Sequence, residues 1–221
     1  MNYDAILFDF DGVLLESEYA GNRHIAEYLT ALGHPTTPAD SMANFMGLSG
    51  DRFIAALEGW IDRPLPDDFH AERQAENRRV LREGLDPVAG AIAFVRALPE
   101  DLPRAIVSSS NTRWIATHLD HLSLRDAFGD HLYSGQEHVA NGKPSPDLYR
   151  FAADKLGVPI ERAVIIEDSP VGVTGAVASG AEVIGLCAGT HCAADHGDRL
   201  RALGVHHVAQ DFETVARLVG L

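Results

Sequence analysis

Three short apolar segments, each ending in acidic or hydroxyl side chains, recur along the chain with helical patterns between them. They are residues 4–9, 104–108 and 162–167. A continuous apolar run of this length is typical of a strand buried on both faces of a parallel sheet. Because such strands alternate with helices, we expect a right-handed, doubly wound, Rossmann-like α/β sheet.

The same alternation continues through the rest of the second half. Strand patterns at 182–186 and, more weakly, at 131–134 raise the expected number of strands to five. Helical patterns occupy five segments, at 90–98, 112–122, 146–156, 171–179 and 195–203. In sheets of this kind ligands bind beyond the carboxyl ends of the strands, so the polar residues that follow Phe8, Val107 and Ile166 are expected to share one site.

The strand pattern stops between about residues 18 and 83. Apolar residues with helical spacing replace it, at 25–32, 53–57 and 69–81. We therefore expect an all-helical cap domain, residues 16–85, inserted after the first strand of a catalytic core formed by residues 1–15 and 86–221. The hinges are expected near residues 14–17 and 84–87.

Composition limits the function classes. The formal net charge of −14 disfavours nucleic acid as a partner. No apolar run approaches the ~20 residues of a membrane helix, and no basic leader precedes the first apolar run, so we expect a cytoplasmic protein without a membrane partner. Cys187 and Cys192 are the only cysteines, and free thiols in a reducing compartment are expected. We expect a monomer.

Asp9 and Asp11 stand in the segment Asp-Phe-Asp-Gly at the end of the first predicted strand. A carboxylate at Asp9 can attack phosphorus and form an aspartyl-phosphate. Asp11 can act as general acid and base on the leaving oxygen and then on water. An isolated Asp-x-Asp-Gly is often a surface turn, but here a buried strand precedes it.

Glu167 and Asp168 add carboxylates at a second strand end. Hard oxygen ligands with no His or Cys nearby favour Mg²⁺. The predicted metal ligands are Asp9, Asp168 and the backbone carbonyl of Asp11, with Glu167 either a ligand or an acceptor that orients the others. Asp168 or Ser169 can also cap the following helix.

The remaining candidates would hold phosphate. Ser108 is expected to bond a phosphate oxygen, helped by Ser109, Ser110 and Asn111 at a helix start, although Ser and Asn there are often only caps. Lys143, one of two lysines in the chain, precedes Pro-Ser-Pro and would neutralise charge on the phosphoryl group. The reaction indicated is phosphoryl transfer from a small phosphorylated metabolite.

Two further patterns are interpreted as structural or solvent-exposed rather than catalytic. His191, Cys192 and His196 lie in a Gly- and Ala-rich segment without a paired zinc motif, so a structural or exposed role is preferred to zinc binding. The Arg/Glu-rich stretch 72–83 is interpreted as a solvated helix face.

In this order, the motifs resemble those of the haloacid dehalogenase superfamily over essentially the full length. They are Asp-x-Asp-Gly-Val-Leu, a strand-end Ser, Gly-Lys-Pro-x-Pro-Asp and Glu-Asp-Ser-x-x-Gly. The resemblance is to the branch with a helical cap that contains β-phosphoglucomutase and small sugar-phosphate phosphatases. It implies Mg²⁺-dependent phosphoryl transfer through Asp9 and a cap that closes over the substrate.

Departures from the family pattern favour a phosphatase over a mutase. The mutases carry a Lys and an Arg around a cap glycine, here Gly47, where this chain has Met46 and Gly50. A mutase must hold a second phosphate with cationic groups, and only Arg52 or Arg78 is considered as a replacement. The expected function is hydrolysis of a small sugar or polyol phosphate, with Gly47 and Arg52 contacting substrate; the alternative is a β-phosphoglucomutase-like sugar phosphomutase. A catalytically silent protein with this fold is disfavoured because Asp9, Asp11, Lys143 and Asp168 are all present.

Overall fold

A parallel sheet of six strands forms the centre of the larger part of the chain. The computed structural model describes residues 3–46, 48 and 50–221. The strands follow the order β3-β2-β1-β4-β5-β6 across the sheet. Their bounds are β1 Ala5–Phe8, β2 Arg104–Ser108, β3 Leu132–Ser134, β4 Ala163–Glu167, β5 Glu182–Leu186 and β6 His207–Ala209.

Strands β2, β1 and β4 end within two residues of one another in register. Phe8 is paired with Ile106 of β2 on one side and with Ile166 of β4 on the other. Every residue of β1, β2 and β4 is buried, which explains why their sequences are continuously apolar rather than alternating. The polar residues that follow these strands therefore emerge side by side at one edge of the sheet.

Helices connect the strands, as in other parallel sheets. They are α5 Ala91–Ala97, α6 Thr112–His121, α7 Arg125–Phe128, α8 Asp147–Leu156, α9 Pro170–Ser179, α10 His196–Ala202 and α11 Phe212–Val219, with a 3-10 turn at Ile160–Arg162. Asn111 and Ser169 cap α6 and α9, because their side chains accept from the backbone N–H three residues later. Tyr149 of α8 and Ala176 of α9 pack on Leu7, Val107 and Ile165.

The chain divides into two compact units, Ser17–Leu85 and the remainder, Met1–Glu16 with Asp86–Leu221. The smaller unit contains α1 Ser17–Ala31, α2 Pro38–Phe45, α3 Gly50–Ile61 and α4 Phe69–Glu83. It has its own hydrophobic core, formed by Ile25, Leu29, Phe45, Leu57, Ile61 and Phe69. Thr37 and Asp40 form a capping box at the start of α2. The insert is helical throughout the part that the structure describes.

The predicted α/β class is confirmed, and all five predicted strands are present. The sequence analysis missed β6, a three-residue edge strand that is partly exposed and therefore lacks an apolar run. It also missed α2, α7 and α11, of which α11 buries Phe212, Val215 and Val219 at helical spacing. Among the described residues, no helix is both long and apolar enough to cross a bilayer.

Candidate active site

Three buried carboxylates and one lysine meet beyond the carboxyl ends of β1 and β4. Asp9, Glu167 and Asp168 each offer an oxygen, and these atoms lie within 4.8 Å of one another. Lys143 Nζ donates to Asp9 Oδ1 at 2.5 Å and to Glu167 Oε1 at 2.6 Å. The Lys143 side chain is 3% exposed, so these ion pairs are shielded from water. Four residues that were selected from distant parts of the sequence therefore form one site.

The charges in this group shift one another's pKa values. Burial raises the pKa of Asp9 well above its usual range, and the Glu167 carboxylate adds to the rise, while the Lys143 ammonium opposes it. Burial alone would lower the pKa of Lys143, but the carboxylates of Asp9 and Glu167 raise it above its ordinary value. Lys143 is therefore a permanent cation next to Asp9, and it favours the ionised form of that carboxylate.

Both oxygens of the Glu167 carboxylate accept several hydrogen bonds from the protein. Its Oε1 accepts from Lys143 Nζ and from Tyr149 OH at 2.7 Å. Its Oε2 accepts from the backbone N–H groups of Asp168 and Ser169 and from Ser169 Oγ. Five donors thus fix both oxygens, which suits a residue that orients Lys143 and the strand end better than a direct metal ligand.

Gly172 leaves the space that the Glu167 carboxylate occupies. A Cβ at this position of α9 would lie 1.8 Å from Glu167 Oε1. Glycine is required here by close approach. At Gly12, both the φ of +85° and the proximity of Asp168 require it, since a Cβ would lie 2.1 Å from Asp168 Oδ2.

Asp168 has two histidine neighbours that the sequence analysis did not expect. His191 Nε2 lies 2.8 Å from Asp168 Oδ2, and His196 Nε2 lies 2.6 Å from the Asp168 carbonyl oxygen. Both histidines are buried. The expectation of no His or Cys near the carboxylates is therefore wrong, because the loop after β5 returns to the end of β4. An exposed role for these two histidines is likewise wrong.

Asp11 is held from the side of β2 and α6. Ser110 Oγ donates to Asp11 Oδ2 at 2.6 Å, and Trp114 Nε1 donates to Asp11 Oδ1 at 3.0 Å. Ser108 Oγ is 3.4 Å from Oδ2, a long contact, and accepts from the Ser110 N–H at 3.0 Å. The Asp11 carboxylate is thereby placed beside the predicted phosphate-binding segment.

The other predicted substrate contacts have varied surroundings. Ser108 is buried, Ser109 is exposed, and the Asn111 side chain caps α6 by accepting from the Trp114 N–H. Arg52 is exposed on α3. Gly47 lies outside the described residues. Their contacts with a substrate stay predictions, as does the Asp11 carbonyl as a metal ligand.

The chemistry of the site suits a divalent cation. Three carboxylates face one ammonium group, and this excess of negative charge in a buried place is stabilised by a bound cation. Asp9 and Asp168 supply the hard oxygen atoms that Mg²⁺ prefers.

Trp114, Tyr149 and His191 are the residues that sequence reasoning missed here. Trp114 follows the strand-end segment Ser108–Ser110 by one helical turn, and Tyr149 follows Lys143 by six positions on the next helix. This proximity to motif residues is the signal that could have identified them. His191 carries no such signal, because the loop conformation alone brings it to Asp168.

Comparisons with known proteins agree with these motifs. The family model described as "haloacid dehalogenase-like hydrolase" matches residues 3–180. The 6-phosphogluconate phosphatase of Escherichia coli is 27% identical over 85% of this chain and 84% of its own, and hexitol phosphatase A of the same organism is 30% identical over 84% of each. A haloacid dehalogenase family hydrolase from Deinococcus radiodurans, crystallised with phosphate and sodium, superimposes with a TM-score of 0.89 at 33% identity, over 99% of this chain and 96% of that one. As its motif order predicts, this chain belongs to the haloacid dehalogenase-like hydrolases and is an enzyme of that family.

Proposed function

We propose that this hydrolase is a Mg²⁺-dependent phosphatase that cleaves a small sugar or polyol phosphate through an aspartyl-phosphate. The observation that carries the proposal is the buried group in which the Asp9 carboxylate contacts Lys143 Nζ at 2.5 Å and lies beside Glu167 and Asp168. The names of the similar phosphatases support the substrate class.

Asp9 is the nucleophile in this proposal. It follows β1 directly, so the strand and its two hydrogen-bonded neighbours fix its backbone. One Asp9 oxygen attacks phosphorus, the bond to the leaving alkoxide breaks, and the phosphoryl group is transferred to the carboxylate. Lys143 balances charge on Asp9 and on the transferring group, and its contact with Glu167 prevents it from moving away.

Asp11 handles the protons. It lies two residues beyond Asp9, and Ser110 and Trp114 fix its carboxylate. In the first step it donates a proton to the leaving alkoxide, and in the second it takes a proton from the water that cleaves the aspartyl-phosphate. Ser108 and Ser109 provide donors for the phosphate oxygens, whereas Ser110 donates its hydroxyl to Asp11 and its N–H to Ser108 Oγ and so supports the segment.

Asp9 and Asp168 would hold Mg²⁺, together with the Asp11 carbonyl. When bound, the metal ion offsets the negative charge of the carboxylates and of the phosphate. Glu167 orients this group through its five donors. A monomeric state and a cytoplasmic location stay predictions from the sequence.

A mutase remains the second candidate because of one cation in the helical unit. Arg73 of α4 is half-buried and lines a cavity of about 350 Å³ together with Glu18, Asn22 and Met46. Burial lowers the pKa of this guanidinium, though arginine stays charged. Arg52 and Arg78, by contrast, are exposed. If this chain binds a second phosphate in the helical unit, Arg73 is the residue that would bind it. The sequence analysis interpreted residues 72–83 as a solvated helix face, and this interpretation is wrong for Arg73, which is half-buried.

The first experiment is release of inorganic phosphate from a panel of sugar and polyol phosphates, with Mg²⁺ and with EDTA. Asp9→Asn keeps the size of the side chain but cannot attack phosphorus, so we expect its turnover to be abolished while circular dichroism stays unchanged. More than a trace of activity in the purified variant would remove Asp9 as the nucleophile. Activity that is insensitive to EDTA would remove the metal.

The second experiment separates the phosphatase from the mutase. Glucose 1-phosphate is supplied with a trace of glucose 1,6-bisphosphate, and glucose 6-phosphate and free phosphate are both followed. We expect free phosphate to account for the substrate consumed. Formation of glucose 6-phosphate ahead of phosphate release would instead establish a mutase, and Arg73→Ala should then abolish it.

A further inference from the structure

A second group of metal-ligating side chains lies next to the carboxylate site. His191, Cys192 and His196 each offer one ligand atom, and these atoms lie within 4.8 Å of one another. The two histidines are 6% and 3% exposed, and Cys192 is half-buried. Two imidazoles and a thiol form a set of ligands that zinc prefers and magnesium does not.

One ligand separation matches that of a tetrahedral ion. With zinc–sulfur and zinc–nitrogen bonds of ordinary length, a sulfur and a nitrogen ligand of one zinc ion lie about 3.5 Å apart. Cys192 Sγ and His191 Nε2 are 3.5 Å apart. The third ligand, His196, follows Cys192 by four positions, where α10 begins.

Hydrogen bonds fix the loop that carries these residues at Thr190, directly before His191. The backbone N–H and the hydroxyl of Thr190 both donate to the Glu16 carboxylate. His196 Nε2 contacts the Asp168 carbonyl oxygen, and His196 Nδ1, although buried, has no hydrogen-bond partner among the described residues. The three ligands are therefore pre-positioned, which lowers the entropic cost of binding an ion.

We propose that His191, Cys192 and His196 form a Zn²⁺ site beside the magnesium site, and that zinc bound there inhibits the enzyme. Inhibition follows from the contact between His191 Nε2 and Asp168 Oδ2. A zinc ion that takes His191 Nε2 as a ligand replaces this contact, so that Asp168 no longer has the position from which it serves the magnesium site. The proposal that zinc inhibits the enzyme rests on the proposed function, whereas the proposal that zinc binds to these three residues does not.

Binding must displace a proton from the thiol. Burial, with a further contribution from the Asp168 carboxylate, raises the pKa of Cys192 to about 12. The thiol is therefore protonated without metal, and Zn²⁺ binds as the proton leaves to solvent. A fourth ligand, water or the Asp168 carboxylate, completes the tetrahedron.

The binding experiment uses metal-free, full-length protein titrated with Co²⁺, which takes zinc sites and reports its ligands by absorption. Mg²⁺ is present in excess to occupy the carboxylate site, and we expect a thiolate-to-cobalt charge-transfer band that saturates at one equivalent and that added Zn²⁺ abolishes. Cys192→Ser should lose this band, and Cys187→Ser, which changes the other half-buried cysteine, should keep it. A wild type without the band, or a band that survives in Cys192→Ser, would overturn the site.

The inhibition experiment follows hydrolysis at fixed Mg²⁺ with increasing Zn²⁺. Cys192→Ser should need at least tenfold more zinc than wild type for the same inhibition, because loss of a direct ligand should cost no less than the roughly 10–100-fold loss seen for outer partners. Cys187→Ser should behave as wild type. If Cys192→Ser and wild type were inhibited at the same zinc concentration, the inhibitory zinc would bind to the carboxylates, and the proposed inhibition through His191, Cys192 and His196 would be overturned. A cobalt band in a wild type without phosphatase activity would refute the proposed function and leave the zinc site standing.

Discussion

Asp11 and its indole partner show how much of this site depends on single side chains. The Trp114 N–H fixes one oxygen of the carboxylate and the Ser110 hydroxyl fixes the other. A general acid must point at the leaving oxygen, and a carboxylate with two different donors has one preferred orientation. Trp114 is therefore a positioning residue for Asp11.

Replacing Trp114 tests this role. Trp114→Phe keeps the ring but removes the donor, and we expect kcat on a sugar phosphate to fall about tenfold, equivalent to ~1.4 kcal/mol and near the lower end for a hydrogen bond to a charged group. The loss should be smaller on p-nitrophenyl phosphate, whose leaving group needs little protonation. Trp60→Phe is the matched control, because Trp60 Nε1 makes a comparable bond to Thr36 in the helical unit. Equal losses on both substrates would argue for a structural effect.

At the scale of elements, α9 and α6 each carry a constraint that can be measured. The first turn of α9 passes so close to Glu167 that glycine alone fits at position 172. The buried face of α6 contains His118, which is fully buried against Trp114, with ring centroids 4.2 Å apart. Neither constraint is visible in the helical patterns that located these helices.

Gly172→Ala should destabilise the protein. The added methyl overlaps a carboxylate that five donors hold, so either the helix or Glu167 must move, and overpacking of this kind costs about 1–3 kcal/mol. Urea unfolding measures the change, and kcat should fall as well because Lys143 loses its anchor. Gly59→Ala on α3 is the control, since no atom lies within 4 Å of its Cβ; it should stabilise the protein by about 0.5–1 kcal/mol. An equally stable Gly172→Ala would contradict the close approach.

His118 should make the protein sensitive to acid. Burial lowers its pKa to about 4, with the Asp11 carboxylate opposing and His121 adding to the shift. In the unfolded chain this histidine binds a proton below about pH 6.5, whereas in the folded protein it does so only below about pH 4. The free energy of unfolding therefore decreases as pH falls through this window.

We expect His118→Phe to reduce the loss of unfolding free energy between pH 7 and pH 4.5 by about 1–3 kcal/mol. The measurement is urea unfolding at both pH values, with His70→Gln, which changes an exposed histidine on α4 that does not contribute to the His118 shift, as the control. A wild-type pH dependence that survives in His118→Phe would show that other groups carry it.

At the scale of the whole molecule, the helical insert begins and ends at one place in the larger unit. The Glu16 N–H donates to the Asp86 carbonyl at 2.9 Å, and Leu15 and Pro87 form an antiparallel bridge. The two segments of the larger unit that flank the insert, which end at Glu16 and begin at Asp86, are thus hydrogen-bonded to each other. An insert joined in this way interrupts the larger unit without contributing a strand to the sheet.

Deleting residues 17–85 and joining the ends by a short glycine-serine linker should therefore leave a folded protein. We expect cooperative thermal unfolding by circular dichroism, because the six-stranded sheet and its buried helices are retained. The reciprocal fragment 17–85 has its own core but is only about 70 residues long, so it should be the less stable of the two. A non-cooperative transition in the deletion variant would show that the larger unit depends on the insert.

The sequence by itself determined the α/β sheet, and it predicted the helical insert and the edge of the sheet at which the candidate site lies. These follow from local patterns, because short apolar runs such as 163–166 that alternate with helical patterns are typical of buried strands, and parallel strands place their carboxyl ends together. It did not reveal β6, whose three residues have no pattern of their own. Only the tertiary structure decided that Trp114 bonds Asp11, that Glu167 is surrounded by donors, and that His191 reaches Asp168. Such contacts depend on loop paths and on side-chain directions, which no periodicity encodes, since they are settled only when the packed core fixes where each loop returns.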